Sequence, residues 1–192
     1  MDGPQFKDDT VMKIAPSLFR VRVSAAAAIV LVALTIAGCK EDKPADAAEE
    51  SDQVYLNHAQ PKLQTLKLWL GKEEVDAEIA LTSQEVATGM MFRKEMGEND
   101  GMLFVFGVPM RASFYMRNTY LPLSCAYIDP EGVVQEVHDM KPLDDTPILA
   151  VSTNIQYVLE VKQGWFQRHH IGPGVVVGTE RGTLRQTFFN RR

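Results

Sequence analysis

Two neighbouring runs alternate in polarity with a period of two, and this constrains the fold more than any other feature of the chain. Leu66, Leu68 and Leu70 interleave with Thr65, Lys67 and Trp69, while Val75, Ala77, Ile79 and Leu81 interleave with Glu74, Asp76, Glu78 and Ala80. Gly71-Lys72 separates them. Successive side chains of a strand point to opposite faces, so the pair reads as a hairpin with one face on a core. Met102–Phe106 is apolar throughout, as in a strand covered on both sides. Ala112–Arg117 and Leu123–Ile128 read as further strands, and Asp129-Pro130-Glu131-Gly132 places Pro and Gly where a type I turn needs them. Val133–His138 then returns as a hairpin partner. Ile155, Tyr157, Leu159 and Val161 alternate again, and Gly174–Val177 is a closing strand. Thr82 with Glu85 forms a capping-box signature, so Ser83–Met91 is expected to be a short helix. Gly164–His169 is at most one further helical turn. Seven or eight short strands with one or two short helices predict a mainly-β fold, a compact sandwich or small barrel, with α+β as the alternative.

Upstream lies a segment of a different kind. Ser24–Cys39, SAAAAIVLVALTIAGC, is uncharged, follows Lys13, Arg20 and Arg22, and ends in Ala37-Gly38-Cys39. A basic start, a short apolar run and small residues before a cut describe a secretory signal. A cysteine directly after the small pair makes it a lipoprotein signal, with acylation on Cys39. An uncleaved transmembrane anchor is the alternative, but Val23–Gly38 is 16 residues long, short of the about 20 that cross a bilayer. Met12 gives a more ordinary start, MKIAPSLFRVRV, than Met1 does. The expected organisation is a signal peptide over 1–38, acylated Cys39 and a charged, Ala-rich tether over 39–60, one β-rich domain over 61–180, and an Arg-rich frayed tail over 181–192. Lys40 after the cysteine favours the outer membrane over the inner, and the expected place of work is the bacterial envelope, facing the periplasm.

Charge and cysteine count narrow the partners. The chain's 20 basic and 25 acidic residues leave a net charge of −5; residues 1–38 hold four of the basic and three of the acidic ones, so the remainder carries −6. That balance gives nucleic acid no electrostatic footprint, and membrane attachment falls to the lipid on Cys39. With Cys39 acylated, Cys125 has no intramolecular disulfide partner; in the run Cys125-Ala126-Tyr127-Ile128 it reads as a buried, inert thiol.

A series of short motifs adds a resemblance. Gly89-Met90-Met91-Phe92-Arg93 is followed by Gly101-Met102-Leu103-Phe104-Val105-Phe106, by Phe114-Tyr115-Met116-Arg117-Asn118-Thr119, and by Leu121-Pro122-Leu123. Pro142, Val158-Leu159-Glu160-Val161 with Gly164, and Ile171-Gly172-Pro173-Gly174 complete it. Over residues 64–178 the series resembles the domain of unknown function 192 family, also called UPF 0127. The resemblance implies a compact β-rich fold, frequent secretion or lipid anchoring, and no established activity. Two positions depart from the family pattern: Tyr115 stands where many relatives have Trp, and Ser124 where many have Asp.

Candidate site residues follow from chemistry. Arg93 offers a planar fork of donors that suits a carboxylate or phosphate; its alternative is a structural ion pair, with Glu160 as the guessed partner. Tyr115, Met116, Asn118 and Thr119 end a strand with groups that could line a cleft, or could serve only the turn before Pro122. Glu160 faces away from Tyr157 and Leu159, toward solvent or a barrel mouth. Ligand binding is therefore placed on Arg93, Tyr115, Met116, Asn118, Thr119 and Glu160. Met90, Met91, Met96, Met102, Met110, Met116 and Met140 give soft thioethers suited to Cu(I), although core packing accounts for such residues too. His58, His138, His169 and His170 show no zinc spacing, and G-x-S-x-G and S-x-x-K are both missing. The expected role is a non-enzymatic envelope module for a small anionic ligand or a protein partner, with no cofactor and no metal. The alternatives are an envelope enzyme with Glu160 or His138 as general base, and a methionine-based copper protein.

Overall fold

The computed structural model describes residues 54–189; the signal segment, Cys39 and the tether up to 53 lie outside the described residues. Ten strands and three short helices follow in order: β1 (Thr65–Leu70), β2 (Glu73–Ala80), α1 (Ser83–Thr88), β3 (Asp100–Met110), β4 (Ser113–Phe114), β5 (Leu123–Ile128), β6 (Val134–Met140), β7 (Ile148–Leu149), β8 (Ile155–Lys162), α2 (Trp165–Arg168), β9 (Val177–Thr179), β10 (Gly182–Thr183) and α3 (Leu184–Phe188). The mainly-β expectation holds. Eight strands form one open sheet in the order β10-β9-β1-β2-β3-β8-β5-β6, and β4 and β7 form a separate two-stranded ladder. The sheet is not a closed barrel. A single bridge between Val133 and Val176, with Val134 N–H donating to the Val175 carbonyl, ties its far edge back toward β9.

The hairpin read from the sequence forms as β1 against β2, antiparallel, with Leu68 opposite Val75. After it the chain crosses over through α1, so that β3 lies parallel to β2. Thr82 and Glu85 form the reciprocal cap, with the Glu85 carboxylate accepting the Leu81 and Thr82 N–H groups at 2.9 Å each. The helix stops at Gly89 because this residue sits at φ +48. A Cβ there would also press within 3.2 Å of the Phe104 ring.

Period two places one apolar cluster on each face of the sheet. Leu103, Ala126, Leu159 and Val161 pack with Leu66, Leu68, Leu70, Trp165 and Phe166 on one side. Met102, Phe104, Cys125, Tyr127 and Val158 pack with Met90, Met116 and Met140 on the other. Trp165 and Phe166 are fully buried, each contributing about 1.5–3 kcal/mol of apolar burial. The second face is roofed by loops rather than helices. Phe114 drives its ring edge-on to Phe104 at 4.9 Å, and the Tyr127 hydroxyl donates to the Ile148 carbonyl, clamping the β4–β7 ladder over the sheet.

Several boundaries differ from expectation: α1 ends at Thr88 rather than Met91, and the closing strand runs Val177–Thr179 rather than Gly174–Val177. Ala112–Arg117 is a strand only at Ser113–Phe114, because the chain turns at Met116–Thr119 to cover the sheet. The tail reading fails for 182–188: Thr183 and Gln186 make a second capping box, and Leu184, the first residue of α3, is fully buried. The tether reading fails for its last residues, since Leu56 N–H donates to the Thr88 hydroxyl. The Gln60 amide likewise donates to the Glu85 and Gly89 carbonyls.

Candidate functional site

Glu160 lies on β8, between β3 and β5 near the middle of the sheet. Its cross-strand neighbours are Met102 and Cys125, so its side chain enters the second, methionine-rich face. Only 4 % of the residue is exposed. It floors a cavity of about 190 Å³ walled by the end of α1 and the following turn (Gly89, Met90, Met91), by Phe104, Phe106 and Met110 of β3, and by Phe114, Tyr115 and Thr119. Close approach of β3 to β8 is needed here, and Gly101 permits it: a Cβ at Gly101 would meet the Glu160 carbonyl oxygen at 2.8 Å.

No side chain or backbone group among the described residues pairs with the Glu160 carboxyl. Burial alone drives its pKa up to about 8, so the group is mostly neutral at neutral pH and ionises within reach of it. Burial, then the Glu160 charge, also pushes the Cys125 thiol upward. With no exposure, that thiol is inert, as expected.

The walls are held by backbone bonds between three loops. Phe92 N–H donates to the Asn118 carbonyl at 2.8 Å, Leu143 N–H to the Thr119 carbonyl at 3.1 Å, and Met116 N–H to the Asp144 carbonyl at 2.8 Å. Each loop carries a non-glycine residue in the left-handed region: Phe92 at φ +62, Asn118 at φ +54 and Leu143 at φ +62. Such residues cost about 1–3 kcal/mol each and cluster at functional sites.

The sequence-derived candidates divide. Tyr115, Thr119 and Glu160 line one cavity. Met116 is buried in the apolar cluster on the same face. Asn118 serves the loop junction, its amide 3.9 Å from the Met91 sulfur. Arg93 stands elsewhere, and the Arg93–Glu160 pairing is not formed. Its guanidinium forks onto Glu78 at 2.6 and 2.7 Å, and Glu78 also accepts the Leu63 N–H. The pair occupies a wider surface hollow with Lys62, Lys94 and Glu95. Both terminal nitrogens are engaged by Glu78 and Nε has no partner, which is the geometry of a structural ion pair.

His138 is likewise removed from the cavity. Its Nε2 lies 3.1 Å from Glu136, whose carboxylate also accepts the Val151 and Ser152 N–H groups, so the pair pins the 150s loop. Ser124 is fully buried; its hydroxyl donates to Asp139 and accepts the Gly164 N–H at 2.8 Å, fixing the start of α2. The wall residues Gly89, Phe104, Phe106 and Phe114 were not singled out as site residues from sequence. Their usable signal was the motif series that carries the family resemblance.

Comparison with known proteins bears on the family and the fold. The model of the DUF192 family, described as "Uncharacterized ACR", matches residues 67–179. A solved structure from Sinorhizobium meliloti 1021, described as a candidate transcription regulator, is 27% identical with a TM-score of 0.60; the match covers 62% of this chain and 97% of that one. Another, of unknown function from Novosphingobium aromaticivorans DSM 12444, is 35% identical with a TM-score of 0.57, covering 60% of this chain and 85% of that one. No curated protein matches.

Proposed function

The chain belongs to the DUF192 family, and from that premise we propose that this member is a lipid-anchored, non-enzymatic module of the bacterial envelope that binds a small molecule in the cavity above Glu160. One observation carries the binding reading. The carboxyl of a residue only 4 % exposed, with no intramolecular partner among the described residues, reaches into a cavity lined largely by apolar side chains, and burial there disfavours its charged form. A ligand that supplied the partner would offset that penalty. Anchoring rests on the Ser24–Cys39 pattern. It is tested by metabolic labelling with alkynyl palmitate, where incorporation is expected in the native chain and abolished in Cys39→Ser.

The binding reading is tested by native mass spectrometry of the full-length protein released gently from envelopes. A reproducible added mass that disappears in Glu160→Gln supports it; a clean apo mass under all conditions refutes a resident ligand. Two observations favour other uses of the same cavity. A carboxyl that ionises near neutral pH meets the requirement for a general acid–base, and here that role falls to Glu160 alone, since His138 is paired elsewhere. Met90, Met91 and Met110 share the cavity wall, which brings three thioethers to one space.

A further inference from the structure

We propose that the ligand is a small organic ammonium cation, its nitrogen on the Glu160 carboxylate and its apolar part among the aromatic rings and thioethers of the wall. The inference rests on the binding reading above and names the chemical class that the cavity selects.

Charge is the first argument. Glu160 is the ionisable carboxyl in the wall, and no Lys, Arg or His lines the cavity among the described residues. An anionic ligand would meet a like charge, or a neutral acid with no cation behind it, in a medium where Coulomb terms are strong. A cation instead supplies the opposite charge that favours the ionised carboxyl, the form that burial disfavours.

The neighbouring polar groups are the second argument. The Thr88 hydroxyl accepts the Leu56 N–H at 3.0 Å, and the Thr119 hydroxyl donates to the Arg117 carbonyl at 3.1 Å. The Thr119 proton is thus committed to the fold, while Thr88 keeps its proton and Ser113 and Tyr115 add hydroxyls to the wall; all are neutral, so Glu160 is the strongest acceptor there.

Wall chemistry and volume complete the case. Phe104, Phe106, Phe114 and Tyr115 present rings, and ring faces attract ammonium groups when desolvated. The polarisable sulfurs of Met90, Met91 and Met110 border the same space. At about 190 Å³ the cavity somewhat exceeds the roughly 150 Å³ apolar cavity known to take benzene. A ring or a short alkyl chain with one amine therefore fits, whereas a bare metal ion would leave most of the volume unfilled.

Binding of an ammonium ion to a neutral Glu160 must release the carboxyl proton to solvent. The expected signature is net release approaching one proton per ligand near neutral pH, and affinity that rises with pH until Glu160 is ionised in the free protein.

The test uses full-length protein and three probes of one shape: benzylamine, benzyl alcohol and benzoate. Calorimetry in buffers of differing ionisation enthalpy reads affinity and proton release, and amide chemical shifts locate the site. Benzylamine is expected to bind at least tenfold more tightly than the other two, shifting amides of Gly89–Met91 and Ser113–Thr119, with proton release. Glu160→Gln is expected to reduce that affinity at least tenfold. Met110→Trp, which fills the half-exposed rim, gives the same loss without touching the carboxyl. Tighter binding of benzyl alcohol or benzoate at the same amides overturns the cationic class and leaves the binding cavity standing. Binding of none of the three overturns the cavity reading itself. Silver(I) that binds there and excludes benzylamine overturns the organic cation in favour of a soft metal.

Discussion

Replacing Glu160 by glutamine should stabilise this protein, and the gain should depend on pH in a way that identifies its cause. The carboxyl's ordinary value of 4.5 is raised to about 8 in the fold by burial. Below the lower value both states bind the proton and the group is neutral in its effect. Between the two values the unfolded chain ionises while the folded one does not, so stability falls as pH rises, and the loss levels off above the folded value. At about 1.36 kcal/mol per pKa unit, the shift corresponds to a cost of roughly 1 kcal/mol near pH 5, about 3 near pH 7 and about 5 near pH 9. Glutamine has nearly the same shape and does not ionise. Urea unfolding of native protein and Glu160→Gln across that range should therefore give curves that diverge with pH, the variant being the more stable. A difference independent of pH would refute the reasoning, because it would mean that Glu160 titrates alike in the folded and unfolded states. A native protein more stable than the variant at high pH would mean that the carboxylate has a partner.

Three further outcomes are expected, each read from chemical denaturation. Arg93→Ala leaves Glu78, whose side chain is 10% exposed, without its counterion and should destabilise by about 3–5 kcal/mol, while benzylamine affinity stays within twofold. Leu143→Gly should stabilise by about 1 kcal/mol, since an exposed leucine at φ +62 is relieved of its left-handed backbone cost. Gly101→Ala should destabilise severely or prevent folding, because its methyl group would collide with the Glu160 carbonyl at 2.8 Å and with Val75 at 2.9 Å, neither of which is a flexible side-chain end.

How far the sequence reveals this molecule depends on which face of the sheet is considered. Alternation in β1, β2 and β8 reports the face built by Leu66, Leu68, Leu159 and Val161, since a periodic apolar stripe needs a periodic cover. The opposite face is signalled only by the continuous apolar run Met102–Phe106, which reports that it is covered but not by what. Its cover is made of loops at 88–92, 112–119 and 141–150, whose positions depend on long-range bonds such as Phe92 N–H to Asn118 and Leu143 N–H to Thr119. Glu160 is therefore recognisable from its place in the alternation as facing away from the Leu159 side, but not as lying under a roof. The Arg93 partner is obscure for a related reason: Glu78 approaches it only because β3 returns parallel to β2, so the end of β2 stands beside the turn that follows α1. The Thr183–Gln186 cap was a readable local signal, outweighed by the arginines around it.

Two buried glutamates in one sheet separate structure from function. Glu78 is 8 % exposed, accepts both terminal nitrogens of Arg93 and one backbone N–H, and so has its charge and its lone pairs satisfied within the fold. Glu160 is buried more deeply, at 4 %, flanked across the strands by Met102 and Cys125, with nothing described to receive its proton or neutralise its charge. Packing alone would be better served by an apolar residue of similar size, as it is at Met102. On the binding reading proposed above, the carboxyl that the fold leaves without partners is the one that meets something outside the chain. Of the loops that roof it, those at 88–92 and 112–119 carry the wall residues Gly89, Met90, Met91 and Tyr115.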